Sequence, residues 1–322
     1  MIMNSTKMLF YTTMIIGVMV CISSNNWMMI WSGLEMSLMS FLPIMIGTNL
    51  LSSESMMKYF IIQSLSSSLL MAGLIFIMMN KEMNFIIMIS LMLKIGMSPF
   101  HNWVLSVIEG LDLKSIFFLL TLMKISPMMI MSYMKEMIWI SVFISLIVGA
   151  IFGINQNSMR KILGYSSIFN IGFVCSCINE MSMWVTYMII YSFMLLSLIF
   201  MIFKLNIYYL NQIMINEFDF KIKISFWLIM MSFGGVPPFL GFMNKLMVFE
   251  YMIMNNQYFL LIIMIISSLI VMFYYIRMTY LSIMMSSISL KWNIFSLNYS
   301  MLFFMVMNMM IFSLLIFLKL LM

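Results

Sequence analysis

LMLKIGMSPFHNW, residues 91–103, decides how the rest of the chain is read. Lys94 follows an apolar run, and Gly96, Pro99 and His101, the only histidine, come within the next seven residues. Proline lacks the amide donor that a helix interior needs, and glycine readily ends a helix. An amine beside such a break, in a stretch this apolar, has to face water or a polar partner.

Composition settles the solvent around it. Of 322 residues, 64% are hydrophobic and 8% charged, and the mean hydropathy is +1.11. A soluble domain cannot keep such a surface in water, whereas repeated membrane spans require it. The 49 methionines fit AT-rich coding under a mitochondrial code, and physically they serve as flexible packing side chains. A net charge of +6 with no basic run longer than two residues does not imply nucleic acid binding, and no nucleic acid partner is expected. Cys21, Cys175 and Cys177 form no CxxC pair, so with one histidine a metal site is not expected. No glycine-rich phosphate loop opens a helix. Met1 to Thr6 run directly into a span, which predicts no cleavable leader.

About 20 apolar residues cross a bilayer. That rule predicts an all-α polytopic membrane protein with eleven spans, near 6–23, 26–46, 56–79, 84–100, 115–133, 137–154, 162–178, 183–203, 223–254, 257–281 and 299–319. Alternating sides puts Lys7, Lys58, Lys114, Arg160, Lys161, Lys204, Lys221, Lys223, Arg277 and Lys291 on one face. Lys81, Lys135 and Lys319 fall on the other. The face rich in lysine and arginine is the cytoplasm-like one, the matrix in a mitochondrion, and it holds the N-terminus.

The fourth span is interrupted at Gly96 and Pro99, the ninth at GGVPPFLGF, residues 234–242. Cut into sets of five, 1–133 and 134–281, the first ten spans carry these breaks at the same place, with 282–322 as a C-terminal loop and helix. Five is odd, so the sets run in opposite senses, the pattern of an inverted repeat around a transport site. Broken backbone at membrane depth leaves carbonyls and amides that need water or polar side chains, so it is expected to line a wet cavity.

Four ionisable residues lie inside spans: Glu35, Lys94, Lys124 and Lys245. Facing lipid, each would cost about 2.5–3.5 kcal/mol, so each is expected to face the interior. Each lysine stands beside an interruption, Lys124 being close to Pro127. Burial disfavours a lysine's charged form and a carboxylate favours it, so a lysine held between the two suits proton transfer. The alternative is a structural Glu35–Lys94 pair, with the other lysines snorkelling or serving broken-helix carbonyls. His101 either hands protons on or bonds a carbonyl locally. Ser64, Ser66, Ser67 and Ser68 read as packing residues.

WSGLEMSLMSFLPIM, LMLKIGMSPFHNWVLSVIEG, TLMKISPMM, RKILGYSSIFNIGF and GGVPPFLGFMNKL resemble, in order and spacing, the motifs of the subunit 2 family of mitochondrial NADH:ubiquinone oxidoreductase, respiratory complex I. The resemblance covers nearly the whole chain and places it among the antiporter-like membrane subunits, whose animal members have eleven helices. It implies a proton-translocating subunit of a reductase, in the mitochondrial inner membrane. It implies no cofactor in this chain, with NADH, FMN, iron–sulfur clusters and ubiquinone bound by other subunits. The implied partners are the neighbouring antiporter-like subunit 4, the small subunit 4L, accessory subunits and lipids such as cardiolipin. Residue by residue, Glu35 matches the family's intramembrane glutamate and Lys94 the lysine on the first broken helix. Lys124 matches the central lysine, Lys245 the lysine on the second broken helix, and His101 the histidine of a PFH motif. Two departures stand out: Asn170 where many relatives have histidine, and Asn244 where a proline is common. Two other readings stay open on the residues alone, a standalone cation/proton antiporter of the same fold and a purely structural scaffold.

Overall fold

The computed structural model describes residues 5–47, 49–79, 84–134, 138–215 and 220–284. The predicted eleventh span, 299–319, lies outside them, as do Lys81, Lys135, Lys291 and Lys319. Among the described residues the secondary structure is helical apart from one isolated bridge between Ser158 and Tyr209. The helices fall into two compact units, Met1–Ser145 with Ile178–Met181, and Leu146–Cys177 with Ser182–Met322.

The first unit holds α1 (Ser5–Ser23), α2 (Trp27–Met45), α3 (Leu50–Met78), α4 (Asn84–Ile95), α5 (Asn102–Gly110), α6 (Leu113–Leu120) and α7 (Leu122–Tyr133). The division falls within α8 (Trp139–Ile154). The second unit continues with α9 (Met159–Ser176), α10 (Met181–Leu205), α11 (Leu210–Ile215), α12 (Phe220–Gly234), α13 (Leu240–Met254) and α14 (Tyr258–Met284). Among the described residues, six segments are long and apolar enough to cross a membrane, and they coincide with the predicted first, second, third, fifth, eighth and tenth spans. Of the other predicted spans within the described residues, the seventh is a continuous 18-residue helix, α9, that is less apolar, and the rest are shorter or interrupted helices, such as Asn84–Ile95 and Trp139–Ile154.

Apolar side chains face outward as well as inward. Phe259, Ile262, Ile266, Leu269 and Phe273 line one exposed stripe of α14 at helical spacing. In water such a stripe would drive aggregation; in a membrane it is the lipid- or subunit-facing side. Helix contacts within the first unit rely instead on small residues. A Cβ added to Gly33 of α2 would lie 2.8 Å from the Gly17 carbonyl oxygen of α1 and 2.9 Å from the Cys21 nitrogen. The two backbones therefore touch, as helices do where small residues recur every four positions. In α3, Ser64, Ser66, Ser67 and Ser68 each donate to the carbonyl three residues back, at 2.7–2.9 Å; Ser66 and Ser67 are buried and Ser68 is exposed.

Both predicted breaks are present, and they share one cap. In α4, Met97 N–H donates to Met92 O at 3.1 Å and Gly96 N–H to Leu93 O at 3.3 Å, with Gly96 at φ +75. In α12, Val236 N–H donates to Met231 O at 3.3 Å and Gly235 N–H to Ser232 O at 3.2 Å, with Gly235 at φ +78. This is the Schellman arrangement, which needs a residue tolerant of left-handed backbone after the last turn. A turn follows each cap, closed by Phe100 N–H on Met97 O and by Phe239 N–H on Val236 O. The common sequence is Gly-x-x-Pro-Phe, at Gly96 and at Gly235.

The fifth span differs from expectation. Pro127 sits inside α7, and the helix parts earlier, at Thr121. The Thr121 hydroxyl donates to Phe117 O at 2.7 Å, and Lys124 N–H turns to Thr121 O at 3.1 Å. A threonine side chain bonding back one turn competes with the backbone ladder and bends it. Lys124 consequently stands in the first turn of α7.

Candidate functional site

The first unit contains a cavity with about 20 Å³ open to the centres of water molecules. That is enough for a single water, provided polar partners are present. Its walls come from α2, α3, α4, α5, α6 and α7, and its polar members are Ser37, Tyr59, Gln63, Lys94, Trp103, Lys124 and Ser126. Two of the four buried charges predicted from sequence thus meet on one space. Lys94 is 7% exposed and Lys124 4%.

Local structure explains why each lysine is there. Lys94 lies in the last turn of α4, where the carbonyl end of the helix attracts positive charge. The Gly96 cap stops the helix at that point and leaves room for α5. Trp103 Nε1 then donates back to Leu93 O at 3.0 Å, and Gln63 Nε2 of α3 donates to Lys94 O at 3.2 Å. The first adds a second donor to a carbonyl that Gly96 N–H already reaches, and the second satisfies one that the break leaves exposed. On the opposite wall, the Thr121 interruption sets Lys124 at the cavity.

Glu35 is half-buried on α2 and is not part of the cavity wall. Its charge acts on Lys94 and on Tyr59, yet no ion pair within 4 Å joins it to Lys94 among the described residues. One carboxylate oxygen, Oε1, is buried with no hydrogen-bond partner among those residues. Carboxylate and ammonium are therefore near neighbours without being locked together. A direct pair would hold the proton on the lysine and gain from its geometry; a separated pair lets the proton leave at smaller cost.

His101 also stays off the cavity wall. Its Nδ1 lies 3.2 Å from Pro99 O and 3.3 Å from Ser98 Oγ, so the ring is tied to its own turn. A hydrogen bond to the Pro99 carbonyl requires the proton on Nδ1, whereas the Ser98 hydroxyl can pair with either tautomer.

Lys245 belongs to the second unit and has its own setting. It is 6% exposed, and its Nζ donates to Gly234 O at 2.6 Å, the carbonyl end of α12. The ring of Phe169 lies beneath the ammonium, with 5.8 Å to the centroid. The lysine of the second break reaches by a hydrogen bond the kind of site that Lys94 occupies by position. Asn244 causes no break beside it: it sits within regular α13, and its Nδ2 donates to Tyr187 O at 3.4 Å. Asn170, the other departure, accepts the Tyr187 hydroxyl at 2.7 Å.

Sequence reasoning missed Tyr59, Gln63 and Trp103. Gln63 carried a usable signal, as the lone amide in a 29-residue apolar helix. Tyr59 and Trp103 carried none, because aromatic residues are common at packed and interfacial positions alike.

Residues 78–271 match the family described as NADH:quinone oxidoreductase/Mrp antiporter, TM. NADH-ubiquinone oxidoreductase chain 2 of Anopheles gambiae is 35% identical over 306 residues, covering 90% of this chain and 86% of that protein. The protein of the same name from Locusta migratoria is 36% identical over 297 residues, covering 88% and 86%. Among solved structures, a chain of respiratory complex I from Thermus thermophilus with bound aureothin superposes with a TM-score of 0.79 at 17% identity, over 87% of this chain and 71% of that one. A chain of the Mrp complex from Dietzia sp. gives 0.72 at 13% identity, over 84% and 59%. At those identities the structural likeness establishes the fold.

Proposed function

The chain belongs to the family of NADH-ubiquinone oxidoreductase chain 2, and on that premise we propose how its buried lysines work. It is a proton-translocating membrane subunit of respiratory complex I, part of the NADH:ubiquinone reductase. The observation that carries the mechanism is the water-sized cavity bordered by both Lys94 and Lys124. Lys94 holds a proton while the charge of Glu35 acts on it and releases it when that influence weakens. Water in the cavity passes the proton to Lys124, with Gln63, Tyr59 and the serine hydroxyls fixing the water. Lys245 plays the corresponding part in the second unit, and His101 orders the turn after the first break. The energy comes from redox chemistry in other subunits, which bind NADH, FMN, iron–sulfur clusters and ubiquinone, and it reaches this chain as a change in shape or field.

The antiporter and scaffold readings are not favoured, since relatives sharing 30–36% identity over most of the chain carry the complex I name. The finer architecture belongs to the same reading: eleven crossings, and inverted five-helix repeats over 1–133 and 134–281, with 282–322 completing the chain. So do the inner-membrane location with the N-terminus in the matrix, and contacts with subunits 4 and 4L, accessory subunits and cardiolipin. The ten-to-three bias of basic residues supports that orientation.

Lys124→Met tests the mechanism. It removes the amine and keeps most of the volume, so the complex should assemble. Proton transport in sealed membranes should fall by about 100-fold, the order of effect of losing one positioned proton-transfer group. Unchanged transport in an assembled complex would remove Lys124 from the path.

A further inference from the structure

In the first unit, the broken helix formed by α4 and α5 runs back along α3, which is unbroken over 29 residues, and is pinned to it at both ends. At one end, a Cβ on Gly73 of α3 would lie 2.5 Å from Ile87 Cγ1 of α4. At the other, a Cβ on Gly110 of α5 would run into Leu51 O of α3 and lie 2.7 Å from Ser55 Oγ. Glycine at these two points lets the helices approach more closely than a side chain would allow. Gly73 and Leu51 are 22 residues apart on α3, about 33 Å at about 1.5 Å per residue. The break of α4 falls between them.

Lys94 stands at that break. The last amides of α4 turn back, Gly96 N–H to Leu93 O and Met97 N–H to Met92 O. The ladder therefore ends before it reaches the Lys94 carbonyl, and Pro99 has no N–H to offer. Gln63 of α3 supplies the donor, Nε2 to Lys94 O at 3.2 Å. It is 5% exposed and is the one amide side chain in α3. A buried amide is costly unless it is bonded, so an aliphatic residue would serve mere packing better. A carbonyl can only accept, so the glutamine has to turn its nitrogen to Lys94 O. Its oxygen is left to the cavity that the side chain lines. Trp103 Nε1 holds the preceding carbonyl, Leu93 O, at 3.0 Å, but Gly96 N–H serves that oxygen as well. Among the described residues, only the Gln63 bond reaches a carbonyl of this turn that the helix itself leaves without a donor.

We infer that Gln63 is a positioning residue for proton transfer at Lys94: its amide latches the last turn of α4 to α3 and so sets the Lys94 amine at the cavity. The inference rests on the proton-translocating function set out above and adds what holds its first carrier in place. Close packing fixes the two ends of the broken helix, so the position of the amine is decided at the turn between them. Gln63 acts on the backbone of that turn; the proton is held and released by Lys94.

The test uses the assembled complex in sealed membranes. Gln63→Met keeps the length and most of the volume and deletes the donor. Some complex is lost with the bond on any reading, and the readings differ in what the remaining complex does. A glutamine that merely satisfied a carbonyl would leave transport per assembled complex unchanged. The latch predicts transport per assembled complex lower by about ten-fold or more, since misplacing a reacting group by about 1 Å can cost about 100-fold. Gln63→His keeps a ring N–H near the reach of the glutamine nitrogen and should restore most of the transport. Normal transport per assembled Gln63→Met complex overturns the inference, and so does a histidine variant as slow as the methionine one. Lys94→Met is run alongside. If it abolishes transport while the glutamine variants are normal, only the inference falls; if it too is normal, the translocating mechanism falls with it. Should Gln63→Met fail to assemble, density maps of the unsubstituted complex at rest and during turnover decide the matter. The bond from Gln63 to the Lys94 carbonyl is expected wherever the Lys94 amine borders the cavity. An amine at the cavity with that bond broken overturns the inference.

Discussion

Lys94→Arg is expected to yield a complex that assembles and moves almost no protons. Arginine keeps a positive charge at the carbonyl end of α4 and within reach of Glu35's field, so the electrostatics that position this turn survive. A guanidinium does not release its proton in a protein. If Lys94 cycles a proton, transport should drop by about 100-fold or more, and NADH oxidation should slow with it because the two are coupled. Lys94→Met should lose transport to a similar degree while also weakening assembly, since the Glu35 charge then has no nearby countercharge. The two substitutions separate charge from titration. A lysine that merely balances Glu35 would be replaced well by arginine and badly by methionine. Assembly, transport and NADH oxidation have to be measured separately, by native electrophoresis, a pH-sensitive dye in sealed vesicles and absorbance.

Gly235→Val and Gly234→Ala, neighbours in sequence, should have opposite outcomes. Gly235 has φ +78, and a Cβ there would lie 2.7 Å from Lys245 Nζ and 2.9 Å from its Cδ. Valine would therefore be strained in its backbone and would push the lysine off the Gly234 carbonyl. Left-handed backbone at a branched residue costs about 1–3 kcal/mol, and overpacking about 1–3 kcal/mol more. Together these are a large share of a protein's stability, so little assembled complex is expected. Gly234 has no such backbone requirement, and a Cβ there would meet nothing closer than 3.5 Å. Its alanine variant should assemble normally, and equal assembly of the two would contradict the shared-cap description of the breaks.

Sequence reasoning found the breaks because their residues have few other uses. Gly96 and Gly235 end helices where left-handed backbone is needed, and the prolines after them cannot continue the ladder. It found Lys94, Lys124 and Lys245 because a charge in an apolar run is costly enough to demand a reason. It misplaced the interruption of the fifth span, because Pro127 is conspicuous and a threonine hydroxyl bonding back at Thr121 is not. It could not show that Lys94 and Lys124 share one cavity while Glu35 stands off the wall, since that depends on the rotation of α2 about its axis.

The central claim is that Lys94 and Lys124 exchange protons through water in the cavity they share. The measurement that tests it most directly is a density map of the intact complex, during turnover and at rest, at a resolution that shows ordered water. Water is expected between the two amines, hydrogen-bonded to Gln63 or Tyr59, in at least one state, with Lys94 unpaired from Glu35 in that state. A cavity that is dry or closed in every state, with Lys94 bonded directly to Glu35 throughout, would contradict it.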